Sequence, residues 1–180
     1  MDVATDLEQL KYPIGRWDRN ATLDASGVAA AIDTLDAAPR RLRAAVAGLS
    51  DEQLDTPYRP GGWTVRQLVH HVPDSHINAY VRTRWALTED RPAIKTYEEH
   101  LWAELPDARG AAVEPSLALL AALHQRWVLL LRALGEAELD RPYLHPEMGA
   151  MPVRRMLSMY DWHSRHHEAH VTSLRARQGW

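Results

Sequence analysis

The chain has no cysteine among its 180 residues. Disulfides are excluded, and so is a thiol nucleophile. Any metal site must therefore use nitrogen and oxygen donors. There is no glycine-rich loop of the kind that cradles phosphate, and no Gly-x-Ser-x-Gly elbow. Positive charge is not in excess: 21 lysines and arginines stand against 24 aspartates and glutamates, giving a net charge of −3 and a pI near 6.4. A face basic enough to hold a phosphate backbone is not expected, so nucleic acid is set aside as a partner. The longest apolar run, Leu117 to Leu123, falls far short of the roughly 20 residues that span a bilayer. The first residues, MDVATDLEQLKYPIGRW, show no basic segment followed by an apolar one. Neither a signal peptide nor a membrane anchor is expected, and the cytoplasm is the default location.

What is present is helical spacing of apolar residues along almost the whole chain. Gly27 to Leu49 reads as an alanine-rich helix, with Pro39 inside it expected to kink or break it. After the loop YRPGGW, Thr64 and Gln67 form a capping-box pattern, and Val65, Leu68, Val69 and Val72 supply the stripe of a second helix reaching about Thr88. Thr96 and Glu99 suggest another capped, short helix. Pro115 opens a third long helix that stops at Gly135, and a loop with Pro142, Pro146 and Gly149 follows. Pro152 starts the last long helix. Four long amphipathic segments without alternating strand patterns predict an all-α four-helix bundle with additional short helices and long loops. No repeat or linker divides it, so residues 1–180 are expected to form one domain, with 1–24 as an N-terminal arm.

The last helix carries YDWHSRHHEAHV, with His163, His166, His167 and His170 close together. At 100° per residue, His163 and His167 project into the sector of Val153, Met156, Tyr160, Val171 and Leu174. His166 falls at the edge, and His170 is ambiguous. A spacing of four puts two rings on one face, one turn apart, where they can grip one ion. On the second helix, His70 points away from the stripe and is expected to be solvated, while His76 points into it as a hydrogen-bonded core residue. His71 lies at the border, aligned with Thr64, Ser75, Asn78 and Arg82 in a polar seam. A metal held by His71, His163 and His167 is one reading; an inert buried imidazole pair is the other. His145, in the loop YLHPEMG, is expected at the surface, with reach to a site mouth as the alternative; His100 and His124 are expected at ordinary helix positions, and Tyr160 in the core. Asp74, Asn78, Arg82 and Glu168 are candidates for contacts with the ligands or with a substrate, or for solvated surface.

GGWTVRQLVHHVPDSHINAY and WHSRHHEAHVTSLR, with YPIGRW, ALTEDRPAIKTYEEHLWAELPDAR and HPEMG, span nearly the whole chain. Together they resemble the DinB superfamily, and within it the YfiT-like hydrolases described as metal-dependent. The resemblance implies a bundle of up-down-down-up order and one divalent ion per chain, zinc or nickel. The ion would be bound by one histidine of the second helix and two of the fourth, here His71, His163 and His167. It also implies a cytoplasmic homodimer. Pro73, in HHVPDSH, departs from the small helix former expected there. Hydrolysis of a small molecule is the first expected activity. Transfer of a low-molecular-weight thiol, with Arg82 and Arg84 on its carboxylate, is the second, and a non-catalytic metal-binding module the third.

Overall fold

The computed structural model describes residues 3–180, with side chains from residue 7 onward; residues 1 and 2 of the expected arm lie outside the described residues. In chain order the elements are α1 (Val3–Lys11), α2 (Ala25–Val46), α3 (Asp51–Leu54), α4 (Val65–Thr88), α5 (Glu99–Trp102), α6 (Pro106–Gly110), α7 (Glu114–Arg132), α8 (Glu136–Leu139), β1 (Pro142–His145), β2 (Gly149–Pro152) and α9 (Val153–Gln178). α2, α4, α7 and α9 form a four-helix bundle. Among the described residues no helix is long and apolar enough to cross a membrane.

Bonds between helices fix their directions. His70 meets Ser116 where α4 and α7 begin, and Thr83 meets Trp127 toward both ends, so these helices are parallel. Arg154 in the first turn of α9 bonds the Leu23 carbonyl just ahead of α2, and Arg175 bonds Ala45 near the end of α2. Those two are parallel as well. Arg43 at the end of α2 holds Glu114 at the start of α7, and Ser75 of α4 meets Tyr160 of α9 while Thr83 meets Met156. Both of these pairings are antiparallel. The order is up, down, down, up.

Local chemistry explains most boundaries. Asp24 caps α2 by accepting from Gly27 N–H at 2.7 Å. Thr64 and Gln67 form the expected reciprocal box on α4. Four expectations need correction. Pro39 does not break α2, which runs through it to Val46. The Thr96 box is not made; Glu98 precedes α5 without a side-chain cap. α7 ends at Arg132, and Gly135 stands ahead of α8 instead. The loop around Pro142 and Gly149 is a β-hairpin, paired Pro142↔Pro152 through His145↔Gly149. Gly149 has φ +69°, and Tyr143 and Met151 form a cross-strand pair, 1% and 0% exposed.

The core is divided in two. One cluster gathers around Trp127, Tyr143, Met156 and Tyr160, the other around Leu68, Leu120 and Leu174. Between them, at mid-bundle, lies a layer of histidines. The N-terminal arm straps α9 beside that layer: Trp17 donates to Ser158, Trp162 to the Gly15 carbonyl, and His170 to the Lys11 carbonyl.

Candidate metal centre

α4 contributes His71 and the antiparallel α9 contributes His163 and His167. Each ring offers one nitrogen, and the three lie within 4.8 Å of one another. The rings are 8%, 9% and 7% exposed. Nε2 of His71 stands 3.3 Å from Nε2 of His163. Two ligand nitrogens on one tetrahedral zinc stand about 3.3–3.4 Å apart for bonds of roughly 2.0–2.1 Å, so this pair already has the required spacing. Trp63, from the loop ahead of α4, packs on His71 with ring centroids 4.7 Å apart.

Burial pushes the His71 pKa down to about 4. His163 and His167 lie well below the ordinary value, through burial first and neighbouring imidazoles second. All three are therefore neutral at pH 7, the state in which imidazole offers a lone pair to a metal. Nδ1 of His167 is buried without a hydrogen-bond partner, an orphaned polar atom within the cluster. The donor set fits a divalent first-row ion.

A sequence model of the DinB superfamily matches residues 34–171. The chain belongs to the DinB superfamily. It is 49% identical over 176 residues to a protein of Geobacillus thermodenitrificans named "Putative metal-dependent hydrolase", covering 97% of this chain and 98% of the relative. A relative of the same description from Bacillus licheniformis is 48% identical over 175 residues, covering 97% and 99%. Among solved structures, YfiT from Bacillus subtilis superposes with a TM-score of 0.92 at 45% identity, over 96% of this chain and 99% of that one. It is described as "a probable metal-dependent hydrolase with an unusual four-helix bundle topology". TT2238, a four-helix bundle protein, shares the fold alone at 21% identity and a TM-score of 0.52.

In this DinB-superfamily chain the triad opens onto a cavity of about 500 Å³, lined also by Trp63, Ser75, Arg82, Tyr97, His145 and Tyr160. Glu98, Glu99 and Glu147 stand at its rim, exposed. The polar seam read from α4 is only partly there: Ser75 and Arg82 reach the cavity, Thr64 is spent on capping, and Asn78 donates to the Asp74 carbonyl. Arg84 is exposed and bonded to the Tyr80 hydroxyl, away from the site. Glu168 faces Arg41 at 3.8 Å.

The other histidines divide clearly. His166 stacks on Trp162 at 4.1 Å, and His170 stacks on Tyr58 at 4.2 Å beneath the arm. His70 is not solvated: it is 8% exposed, donates from Nε2 to the Ala111 carbonyl and accepts at Nδ1 from Ser116. The segment between α4 and α7 folds over that face and buries it. His145 is not a surface residue either; the hairpin turns it into the cavity wall, 9% exposed. Its Nδ1 accepts from the Glu147 and Met148 backbone N–H groups, which leaves the hydrogen on Nε2. His124, expected at an ordinary helix position, is 2% exposed and hydrogen-bonded to His76.

Proposed function

We propose that this chain is a divalent-metal-dependent hydrolase of a small molecule, with one zinc or nickel ion held by His71, His163 and His167. The supporting observation is that a three-histidine cluster faces a cavity of about 500 Å³. Three protein ligands leave positions for water and substrate, and the volume suits a small molecule. A divalent ion there supplies Lewis acidity and acidifies water to near neutrality.

The chain's own side chains bind and orient. Arg82 is 6% exposed, and its one hydrogen bond among the described residues goes to the Lys95 carbonyl. The other two buried arginines each hold two carboxylates: Arg66 holds Asp51 and Asp55, Arg154 holds Glu136 and Asp140. A buried cation without an anion is costly, so Arg82 suits an anionic group on the substrate. The Nε2–H of His145 is a further donor in the cavity wall. Tyr160 donates to the Ser75 carbonyl and accepts from the Ser75 hydroxyl, which braces the wall behind His163.

One observation favours a second reading. The carboxylates that line the cavity are exposed at its rim rather than set against the triad, so among the described residues no buried carboxylate base stands there. A thiol that arrives as thiolate needs none, and transfer from a low-molecular-weight thiol is the alternative. The zinc-loaded protein is tested on 4-nitrophenyl acetate and mono-4-nitrophenyl succinate, with and without cysteine. Turnover in water alone, faster on the succinate and lost in His163→Ala, is the expected result. Turnover only with cysteine replaces the hydrolase by a transferase, and none in either condition leaves a metal-binding module.

A further inference from the structure

His163 is backed by a chain of hydrogen bonds that crosses the whole bundle. Its Nδ1 lies 3.1 Å from Nε2 of His76 on α4. Nδ1 of His76 lies 2.7 Å from Nε2 of His124 on α7. Nδ1 of His124 lies 2.6 Å from the carbonyl oxygen of Leu35 on α2. His76 and His124 are 0% and 2% exposed, and Trp127 packs nearly perpendicular to both rings.

The hydrogens in this chain are fixed from one end. A carbonyl only accepts, so the hydrogen of His124 sits on Nδ1. A neutral imidazole has one N–H, so Nε2 of His124 accepts and Nδ1 of His76 donates. Nε2 of His76 then accepts, and Nδ1 of His163 donates. Nε2 of His163 is left with its lone pair in the triad. Three rings carry three hydrogens, one in each contact. A fourth proton reverses every contact it passes and emerges on Nε2 of His163, where it would displace a metal. The far end is a carbonyl with no proton to pass on, so the chain orients and does not conduct.

A proline leaves the anchoring carbonyl without its helical donor. In a helix the N–H of residue 39 bonds the carbonyl of residue 35, and Pro39 has no N–H. The acceptor that Pro39 leaves open is the one that His124 uses.

We infer that Pro39, His124 and His76 are positioning residues of the metal centre: the carbonyl freed by Pro39 sets the tautomers of His124, His76 and His163 in turn, and so presents Nε2 of His163 to the ion as a lone pair. This rests on the reading of His71, His163 and His167 as metal ligands. Metal-protein affinity commonly depends on such outer partners, which hold a ligating histidine in one tautomer and orientation.

The direct test is the ring nitrogens of the ¹⁵N-histidine protein, assigned by two-bond N–H couplings without metal and again with zinc. His76 and His124 are expected as Nδ1–H tautomers in both, and His163 carries its hydrogen on Nδ1 throughout. Either His76 or His124 in the Nε2–H form overturns the inference. The metal-free spectrum decides this even if zinc does not bind, an outcome that would instead remove the metal-centre reading. Two variants add a functional readout by chelator competition for zinc. In His124→Leu, zinc affinity falls by about 10–100-fold. In Pro39→Ala, an N–H returns to the Leu35 carbonyl and competes with His124: the melting temperature rises while zinc affinity falls several-fold. A purely structural proline would raise the melting temperature and leave zinc affinity at the wild-type value, and that result contradicts the inference whether or not His124→Leu folds.

Discussion

His70 and His71 are neighbours in sequence and meet different surroundings: one is satisfied by Ser116 and Ala111, the other faces His163 across the bundle. Helical projection separates such neighbours because it depends only on the 100° step. It brought out His71, His163 and His167, and it placed His76 in the core. It failed for His70, and the loop reading of His145 failed with it: the burial of both comes from segments far along the chain that no local period encodes. Asp74 is a residue whose state also depends on a distant neighbour. Burial first, and Asp107 second, push its pKa up to about 6. A carboxyl whose folded pKa is raised holds its proton more tightly when folded, so stability falls as pH rises from about 4 to about 6. Asp74→Asn is therefore expected to be more stable than wild type at pH 7, by about 1 kcal/mol once solvent screening of this half-buried group is allowed for. The difference should vanish below pH 4. Urea unfolding at pH 7 and pH 3.5 checks this; a gain of equal size at both values would show that the charge is not the cause.

At the scale of elements, the cap of α4 and the apolar stripes were readable, and the effect of Pro39 inside α2 was not. Thr64 and Gln67 mark the start of α4 by chemistry confined to one turn. Pro39 and Pro73 both lie inside helices that continue past them, because packing on the neighbouring helices offsets the lost bond, and at Pro39 the freed carbonyl has another donor. The hairpin escaped notice because its strands are four residues each and begin or end in proline, leaving little room for alternation to show. Its turn depends on Gly149, at φ +69° with nothing within 4 Å of an added Cβ. Gly149→Ala is thus a test of backbone conformation alone, expected to cost about 1 kcal/mol and to loosen the strand that carries His145. Thermal melting, together with histidine NMR showing a shifted His145 and an unmoved His163, checks it; an unchanged melting temperature would mean the turn tolerates the substitution.

For the whole molecule, the bundle order follows from which helix ends meet, and the apolar core is parted at mid-height by a histidine layer. The four helices were legible because each repeats its stripe over many turns. Their up-down-down-up order was not legible from periodicity, which is blind to connection; it came from resemblance, and the directions of the interhelical bonds agree with it. Dividing a core with polar rings is unfavourable unless every ring finds a partner, and here one end of the layer is tied to Leu35 and the other converges on a cavity. The measurement that bears most directly on this arrangement is metal content per chain, after purification without immobilised nickel and dialysis against zinc. It is compared across wild type, His71→Ala, His163→Ala, His167→Ala and the control His166→Ala. About one ion per chain in wild type and in His166→Ala, with loss in the other three, is the expected result. No ion in wild type, or equal loss in His166→Ala, would contradict the assignment of the three converging histidines as the metal site.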